Sequence, residues 1–220
     1  MNKEVAKWLR NNIHMLKKGD GENLYKQFAW DFKMYSQSYL TDELLEILSV
    51  DEIFSLFKNS IPRNAFRFIE LEEINIPNHI IFLEPDAFNS SHVKHVSMPS
   101  TSGNENAFRD CEELYSVEIR SGHNKTGNRM FSSCTSLVEA NIDTNTIEEN
   151  TFAGCSRLEY VHLGKNVCMI KNDAFRSCPS LKEIVYDGTK EDWENVDCLN
   201  FWRANSSIEK IVCSDGEVWL

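Results

Sequence analysis

At 220 residues, 41% of them hydrophobic, the chain is long enough to bury a sizeable core. A mean hydropathy of −0.42, with no apolar run near the roughly 20 residues that a bilayer crossing needs, excludes a membrane-spanning helix. The net charge of −11 argues against direct nucleic-acid binding, because phosphate backbones are held by basic surfaces. The charge is also uneven. Residues 1–60 carry 8 lysines and arginines against 9 aspartates and glutamates, and the rest carries 15 against 25, so the acidity belongs to the second part.

The first sixty residues read as helices. The opening run to Arg10 interrupts its apolar residues with charge, so no secretory apolar core is visible and cytoplasmic residence is expected. Val5, Trp8, Leu9, Ile13 and Leu16 form one stripe of a first helix that Gly19 stops. A second is expected from about Glu22 to Ser38, with Leu24, Phe28, Phe32 and Tyr35 on one face. Thr41 is placed as the cap of a short third carrying Leu44, Leu45 and Leu48. Ser49-x-x-Glu52 is a capping box that opens a fourth with Ile53, Phe54 and Phe57. Ile61-Pro62 ends it, and no Gly/Ser linker follows. Residues 1–60 are therefore expected to cap the open end of residues 61–220 rather than stand free. Lys3, Lys7, Arg10, Lys17 and Lys18 against Glu4 make the first helix locally basic. That reads as the solvated back of an amphipathic cap and not as a peripheral membrane contact.

From residue 61 a phrase recurs: Ala-Phe-x-x-Cys-x-x-Leu-x-x-Val-x-Ile. Phe66, Phe88, Phe108, Phe131, Phe152 and Phe175 lead successive copies at steps of 22, 20, 23, 21 and 23 residues, the period of a leucine-rich solenoid. Cys111, Cys134, Cys155 and Cys178 follow, then Leu114, Leu137, Leu158 and Leu181. The two earliest copies run one residue shorter. Such a unit cannot bury a core alone, so the copies must stack at about 4.8 Å and bury each Phe, Leu and Val against its equivalents. Period-two alternation in the strand segment turns Val117 and Ile119 inward and Ser116, Glu118 and Arg120 outward. The outward residues form a central column of Asn75, Ser97, Glu118, Asn141, His162 and Val185. One flank reads Glu73, His95, Ser116, Glu139, Tyr160 and Glu183, and the other Pro77, Pro99, Arg120, Asp143, Gly164 and Asp187.

The Ala-Phe-x-x-Cys-x-x-Leu phrase, the strand exits Ile76-Pro77 and Met98-Pro99, and the segment from Tyr186 to Trp193 (Tyr-Asp-Gly-Thr-Lys-Glu-Asp-Trp) together resemble the BspA-like leucine-rich repeat family. The resemblance covers about residues 61–216, with Phe201-Trp202, Ile208, Ile211 and Cys213 similar to a degenerate last coil. It implies an α/β fold: a right-handed solenoid of about six to seven coils, here with an N-terminal α-helical cap. It also implies a binding role, in bacterial surface, phage and some protist proteins, with no catalytic residue and no cofactor.

The cysteine spacing argues for a buried column of reduced thiols rather than disulfides or a zinc cluster, since one rung per coil is not tetrahedral and no Cys-x-x-Cys occurs. Cys168, Cys198 and Cys213 lie off the column and are expected to be buried. His95 and His162 stand three coils, roughly 14 Å, apart and cannot share a metal. His14, His79 and His123 have no evident partners. No Walker loop, Gly-x-Gly-x-x-Gly or His-Glu-x-x-His is present, and an open sheet offers no oxyanion hole, so no enzyme is expected. The expected function is a non-catalytic module that presents its concave face to a protein partner. The face residues are Glu73, Asn75, His95, Ser97, Glu118, Arg120, Glu139, Asn141, Asp143, Tyr160, His162 and Glu183. The alternative is an acidic inhibitor, encoded by a phage or mobile element, that occludes a host nucleic-acid-binding or defence protein.

Overall fold

Phe66, Phe88, Phe108, Phe131, Phe152 and Phe175 stack in one column with centroids 4.8, 4.7, 5.6, 5.4 and 5.3 Å apart and planes within 17°. All six are fully buried, as are Cys111, Cys134, Cys155 and Cys178 and Leu114, Leu137, Leu158 and Leu181, whereas Leu71 of the first coil is partly buried. This is a computed structural model, and it describes residues 3–16, 19–32, 38–120, 122 and 124–220. Lys17, Lys18, Tyr35 and His123 lie outside the described residues, as do the side chains of Lys3, Glu4, Ile13 and Phe32.

The helices are α1 (Lys3–Asn12), a 3-10 turn at Ile13–Met15, α2 (Gly21–Phe32), α3 (Ser38–Leu45) and α4 (Val50–Leu56). The coils supply β1 (Ser60–Ile61), β2 (Glu73–Asn75), β3 (Phe82–Leu83), β4 (His95–Pro99), β5 (Ser102–Gly103), β6 (Ser116–Arg120) and β7 (Glu139–Ile142). Then come β8 (Thr146–Ile147), β9 (Tyr160–Leu163), β10 (Met169–Ile170), β11 (Glu183–Tyr186), α5 (Lys190–Glu194), β12 (Asp197–Cys198), β13 (Lys210–Cys213) and β14 (Gly216–Trp219). The main sheet runs β14-β13-β11-β9-β7-β6-β4-β2, while β1-β3-β5 and β12-β10-β8 form two short sheets. All pairs are parallel except β13 with β14, a hairpin that the repeat did not foretell. The solenoid with a helical N-terminal region is as the sequence implied.

Two left-handed residues per coil make the turn around each Phe. Asn64, Asp86, Asn106, Arg129, Asn150 and Asp173 stand two before it, and Phe68, Ser90, Asp110, Ser133, Gly154 and Ser177 two after it, all at positive φ. Asn, Asp and Gly dominate because they tolerate that region best. Each Phe N–H donates to the residue before the next Phe, as from Phe152 to Ala174 O at 2.8 Å. Phe175 N–H donates to Trp202 O at 2.8 Å, and Phe201 and Asn205 carry the two positive φ values. The last coil is therefore framed as Trp202-Arg203, one residue later than the expected Phe201-Trp202. Phe201 stands 76% exposed, while Trp202 ends the stack edge-on to Phe175 at 6.0 Å.

The thiols have a structural task. Cys111, Cys134, Cys155 and Cys178 donate to the carbonyls of Phe88, Phe108, Phe131 and Phe152 at 3.3, 3.2, 3.1 and 3.2 Å, tying each coil to the one before. Burial pushes Cys134 and Cys155 well above the ordinary thiol value and Cys178 up to about 12. Cys213 is buried and Cys198 half-buried, whereas Cys168 is exposed, contrary to expectation. It sits one residue before the short strand β10, with its thiol donating to Asn145 O at 3.4 Å.

At the other end, Phe54 and Phe57 cover Phe66 at 5.3 and 6.4 Å. The capping box forms as read, with Ser49 Oγ accepting from Glu52 N and Glu52 accepting from Ser49 N. Thr41, by contrast, is not a cap. It lies inside α3, fully buried, sharing a hydrogen bond with Tyr25 Oη (2.5 Å) and donating to Ala65 O. The helix spans Ser38–Leu45, and the Thr41 hydroxyl satisfies a carbonyl of the first coil. His79, expected to be without a partner, contacts Phe54 O at 3.3 Å.

Candidate binding face

Backbone pairing lays the outward strand residues in the columns expected. Glu73 pairs with His95, then Ser116, Glu139 and Tyr160, and Asn75 with Ser97, Glu118, Asn141, His162 and Val185. The register continues into Lys210 and Val212 of β13, which the sequence reading did not include. Period-two alternation about the buried Ile211 and Cys213 was the signal that could have found them.

The polar side chains hold one another across coils and, for Asn141 and Glu139, within one strand. Ser97 Oγ donates to Glu118 Oε2 at 2.7 Å, Asn141 Nδ2 to Glu139 Oε1 at 3.0 Å, and Asn166 Nδ2 to Asp143 Oδ1 at 2.8 Å. His162 Nε2 meets Asp187 Oδ1 at 2.6 Å, and His95 Nδ1 shares a hydrogen bond with Ser116 Oγ at 2.8 Å. Arg120 differs from the solvent-directed residue that alternation suggested. Its guanidinium reaches back across two coils to Asn75 Oδ1 (3.1 Å), Ser97 Oγ (2.5 Å), Ile76 O (2.8 Å) and Asn78 Oδ1 (3.3 Å). Five donors in a rigid fork suit it to that clamp. Lys210 is likewise committed, to Glu217 at 2.5 Å and Glu183 at 3.3 Å. Tyr160 and Val185 stand adjacent on the face, 64% and 40% exposed.

Three shallow furrows run over these columns. One of about 300 Å³ lies between His95, Ser97, Glu118 and Glu139. A second of about 390 Å³ lies between Glu139, Tyr160, His162 and Val185. A third of about 230 Å³ lies between Glu118, Asp143, His162 and Asp187, with Gly164 in its floor. Gly164 and Asp187 were named in the outward columns but not among the face residues. The missing side chain in a column otherwise of Pro, Arg and Asp was the available signal. Among the described residues, no three His, Cys, Asp or Glu side chains are grouped to hold a metal. His95 and His162 stand three strands apart. Glu148, a buried carboxylate, lies off this face between Lys125 (2.9 Å) and Lys171 (2.8 Å). Burial works against its charge, but those two ammonium groups outweigh it and hold the carboxyl below its ordinary range.

A sequence model of the BspA type leucine-rich repeat region matches residues 59–182, in 6 copies. The chain belongs to the BspA-type leucine-rich repeat family. A leucine-rich cell-surface protein of Faecalibacterium prausnitzii A2-165 is similar in structure, with 30% identity and a TM-score of 0.53 over 59% of this chain and 35% of that one. A leucine-rich repeat protein of T. pallidum gives 24% identity and a TM-score of 0.42 over 60% of each chain. One from Bacteroides ovatus ATCC 8483 gives 15% and 0.32 over 71% of this chain and 59% of that one. This chain thus spans about a third of the first protein's length and three fifths of the other two. No curated protein matched its sequence. For a BspA-type chain the solenoid suggests a protein-interaction module. Among the described residues no helix is long and apolar enough to cross a membrane.

Proposed function

We propose that this BspA-type chain is a non-catalytic module that binds a protein partner through the solvent face of its eight-stranded sheet. One observation carries the reading. Tyr160 and Val185 stand exposed amid carboxylates whose positions are already set by hydrogen bonds within the face. A preordered aromatic anchor with a fixed polar surround loses little entropy on binding. Residues 1–60 belong to the proposal as the part that closes the solenoid of residues 61–220, without a partner-binding role of their own. Seven free thiols support a reducing, cytoplasmic setting, whereas the similar F. prausnitzii protein is described as a cell-surface one.

The experiment is to identify a partner by affinity capture, reconstitute the complex from purified components, and compare the chain with Glu118→Ala/Glu139→Ala/Tyr160→Ala. The variant is expected to weaken the complex at least about a hundredfold while its stability changes by no more than about 0.5 kcal/mol per site, as is usual for exposed residues. Full affinity in the variant sinks the reading. Occlusion of a nucleic-acid-binding protein is the second reading, favoured by the Glu118, Glu139 and Asp143 carboxylates of the central coils, which have no lysine or arginine partner among the described residues. A partner that nucleic acid displaces competitively, with steep salt dependence, would select it.

A further inference from the structure

The second and third furrows share a wall, made by Asn141 and His162 of the central column. Beyond that wall, toward the strand ends, Glu118, Asp143 and Asp187 line a furrow of about 230 Å³. Each is held through one oxygen, by Ser97, Asn166 and His162 respectively. Among the described residues the other oxygen of each has no partner. Arg120 lines the Glu118 end of the furrow with its guanidinium committed to Asn75, Ser97, Ile76 and Asn78, and among the described residues no lysine or arginine pairs with Asp143 or Asp187. Gly164 lets the Asp143 carboxylate lie directly over its backbone, because a β-carbon there would collide with that carboxylate. On the near side of the wall, Tyr160 and Val185 flank the furrow of about 390 Å³.

We infer that the two furrows take two side chains of one extended partner segment: a cationic side chain, arginine by preference, in the carboxylate furrow and an aliphatic or aromatic one between Tyr160 and Val185, two residues apart. The inference rests on the face reading above and adds the chemistry of the partner. Charge complementarity selects the cation. Asp143 and Asp187 flank Gly164 from the strands on either side, so a planar guanidinium set over the glycine can meet a carboxylate at each edge, which a compact ammonium does not, while Glu118 lies at the far end of the furrow. Spacing follows from the fold. The furrows are offset by one column, two residues along a strand or about 6.6 Å, and an extended segment laid along the strands repeats its same-side side chains at that distance.

The test is an NMR titration of the isotopically labelled full chain with the capped peptide Gly-Ser-Leu-Ser-Arg-Ser-Gly. Parallel arms use the same peptide with Glu for Arg, with Ser for Leu, and with Leu and Arg adjacent. The expected result is movement of the Asp143, Gly164 and Val185 amides together, with affinity at least about tenfold above every control peptide. Asp143→Asn with Asp187→Asn should abolish the preference for Arg over Glu and keep the response to Leu. Tyr160→Ser with Val185→Ser should do the reverse. Thermal melts of the same samples confirm that both variants are folded. An equal response to the adjacent arrangement, a response that ignores Leu, or no response at all overturns the inference. If the peptides fail while the triple face variant still loses a reconstituted partner, the two-furrow inference falls and the face reading stands. If that variant keeps its partner, the face reading falls as well.

Discussion

The phenylalanine stack is ended in two different ways. At Phe66 the end is closed by apolar burial, with Phe54 and Phe57 laid over the ring and Thr41 satisfying Ala65 O. At Phe175 the ring meets Trp202 edge-on, the phenylalanine position of the last coil holds Arg203, and Arg203 Nη1 donates to Ile208 O at 2.6 Å. The sheet edges are treated in the opposite sense. β2, only three residues long, ends the sheet at the helical side, whereas β13 is paired along its length by antiparallel β14. α5 secures that hairpin, as Lys190 N–H donates to Asp215 Oδ1 at 2.8 Å. A parallel stack thus has two separate vulnerabilities, an apolar core end and a hydrogen-bonding strand edge. Each end of this molecule answers mainly one of them.

The sharpest way to break this comparison is to delete residues 1–57. The uncovered Phe66 end should leave a chain that aggregates or has no cooperative melting transition, read by light scattering and calorimetry. A soluble monomer with an unchanged melt would make the helices an independent domain. Single substitutions grade the same contrast. Phe54→Ala should cost about 3–5 kcal/mol in denaturant unfolding, and Trp202→Ala less, because its ring covers Phe175 only by an edge.

Alkaline pH should distinguish the ends as well. A thiol whose pKa is raised on folding contributes stability that is complete below its ordinary value of 9.0 and is lost as pH rises toward the folded value, about 12 for Cys178. The loss is about 1.4 kcal/mol per pH unit for each such thiol. Cys134, Cys155 and Cys178 all lie in later coils. At the helical end Tyr25, raised by burial from 10.0, is the residue with the same sign of dependence, and it takes effect at higher pH. Hydrogen exchange between pH 8 and 11, corrected for intrinsic rates, should show protection falling first in β9, β11 and β13. Simultaneous loss in β2 and β4 would contradict the assignment. The smallest expected effect is Thr41→Val, about 1–3 kcal/mol, which leaves Ala65 O and Tyr25 Oη without their shared partner. A neutral result would remove Thr41 from the account of how the helical end is fastened.

What the sequence determined by itself is everything that one coil imposes on the next. A Phe every 20 to 23 residues, with Leu and Val at constant offsets, can be buried only by stacking like on like. The column pairs from Glu73–His95 to His162–Val185 were therefore readable, as was the Cys rung. The residues two places either side of each Phe, mostly Asn, Asp and Ser, were also in plain sight, but in the last coil Asn200 and Asn205 favour different frames, and only the positive φ at Phe201 and Asn205 settles it on Trp202-Arg203. Tertiary structure alone decided where long side chains go and what happens where the repeat stops. Arg120 alternates outward like its neighbours, yet its fork finds carbonyl and amide oxygens two coils away, a choice set by groups more than 40 residues distant in sequence. Thr41 looked like a helix cap because local rules favour it there, but a buried carbonyl of the first coil outweighs them. β14 turns back and pairs β13 antiparallel, so this strand edge is covered by a chain reversal that has no counterpart in the repeat. Local periodicity specifies contacts between equivalents, whereas ends and reaching side chains answer to groups that have no equivalent in the repeat.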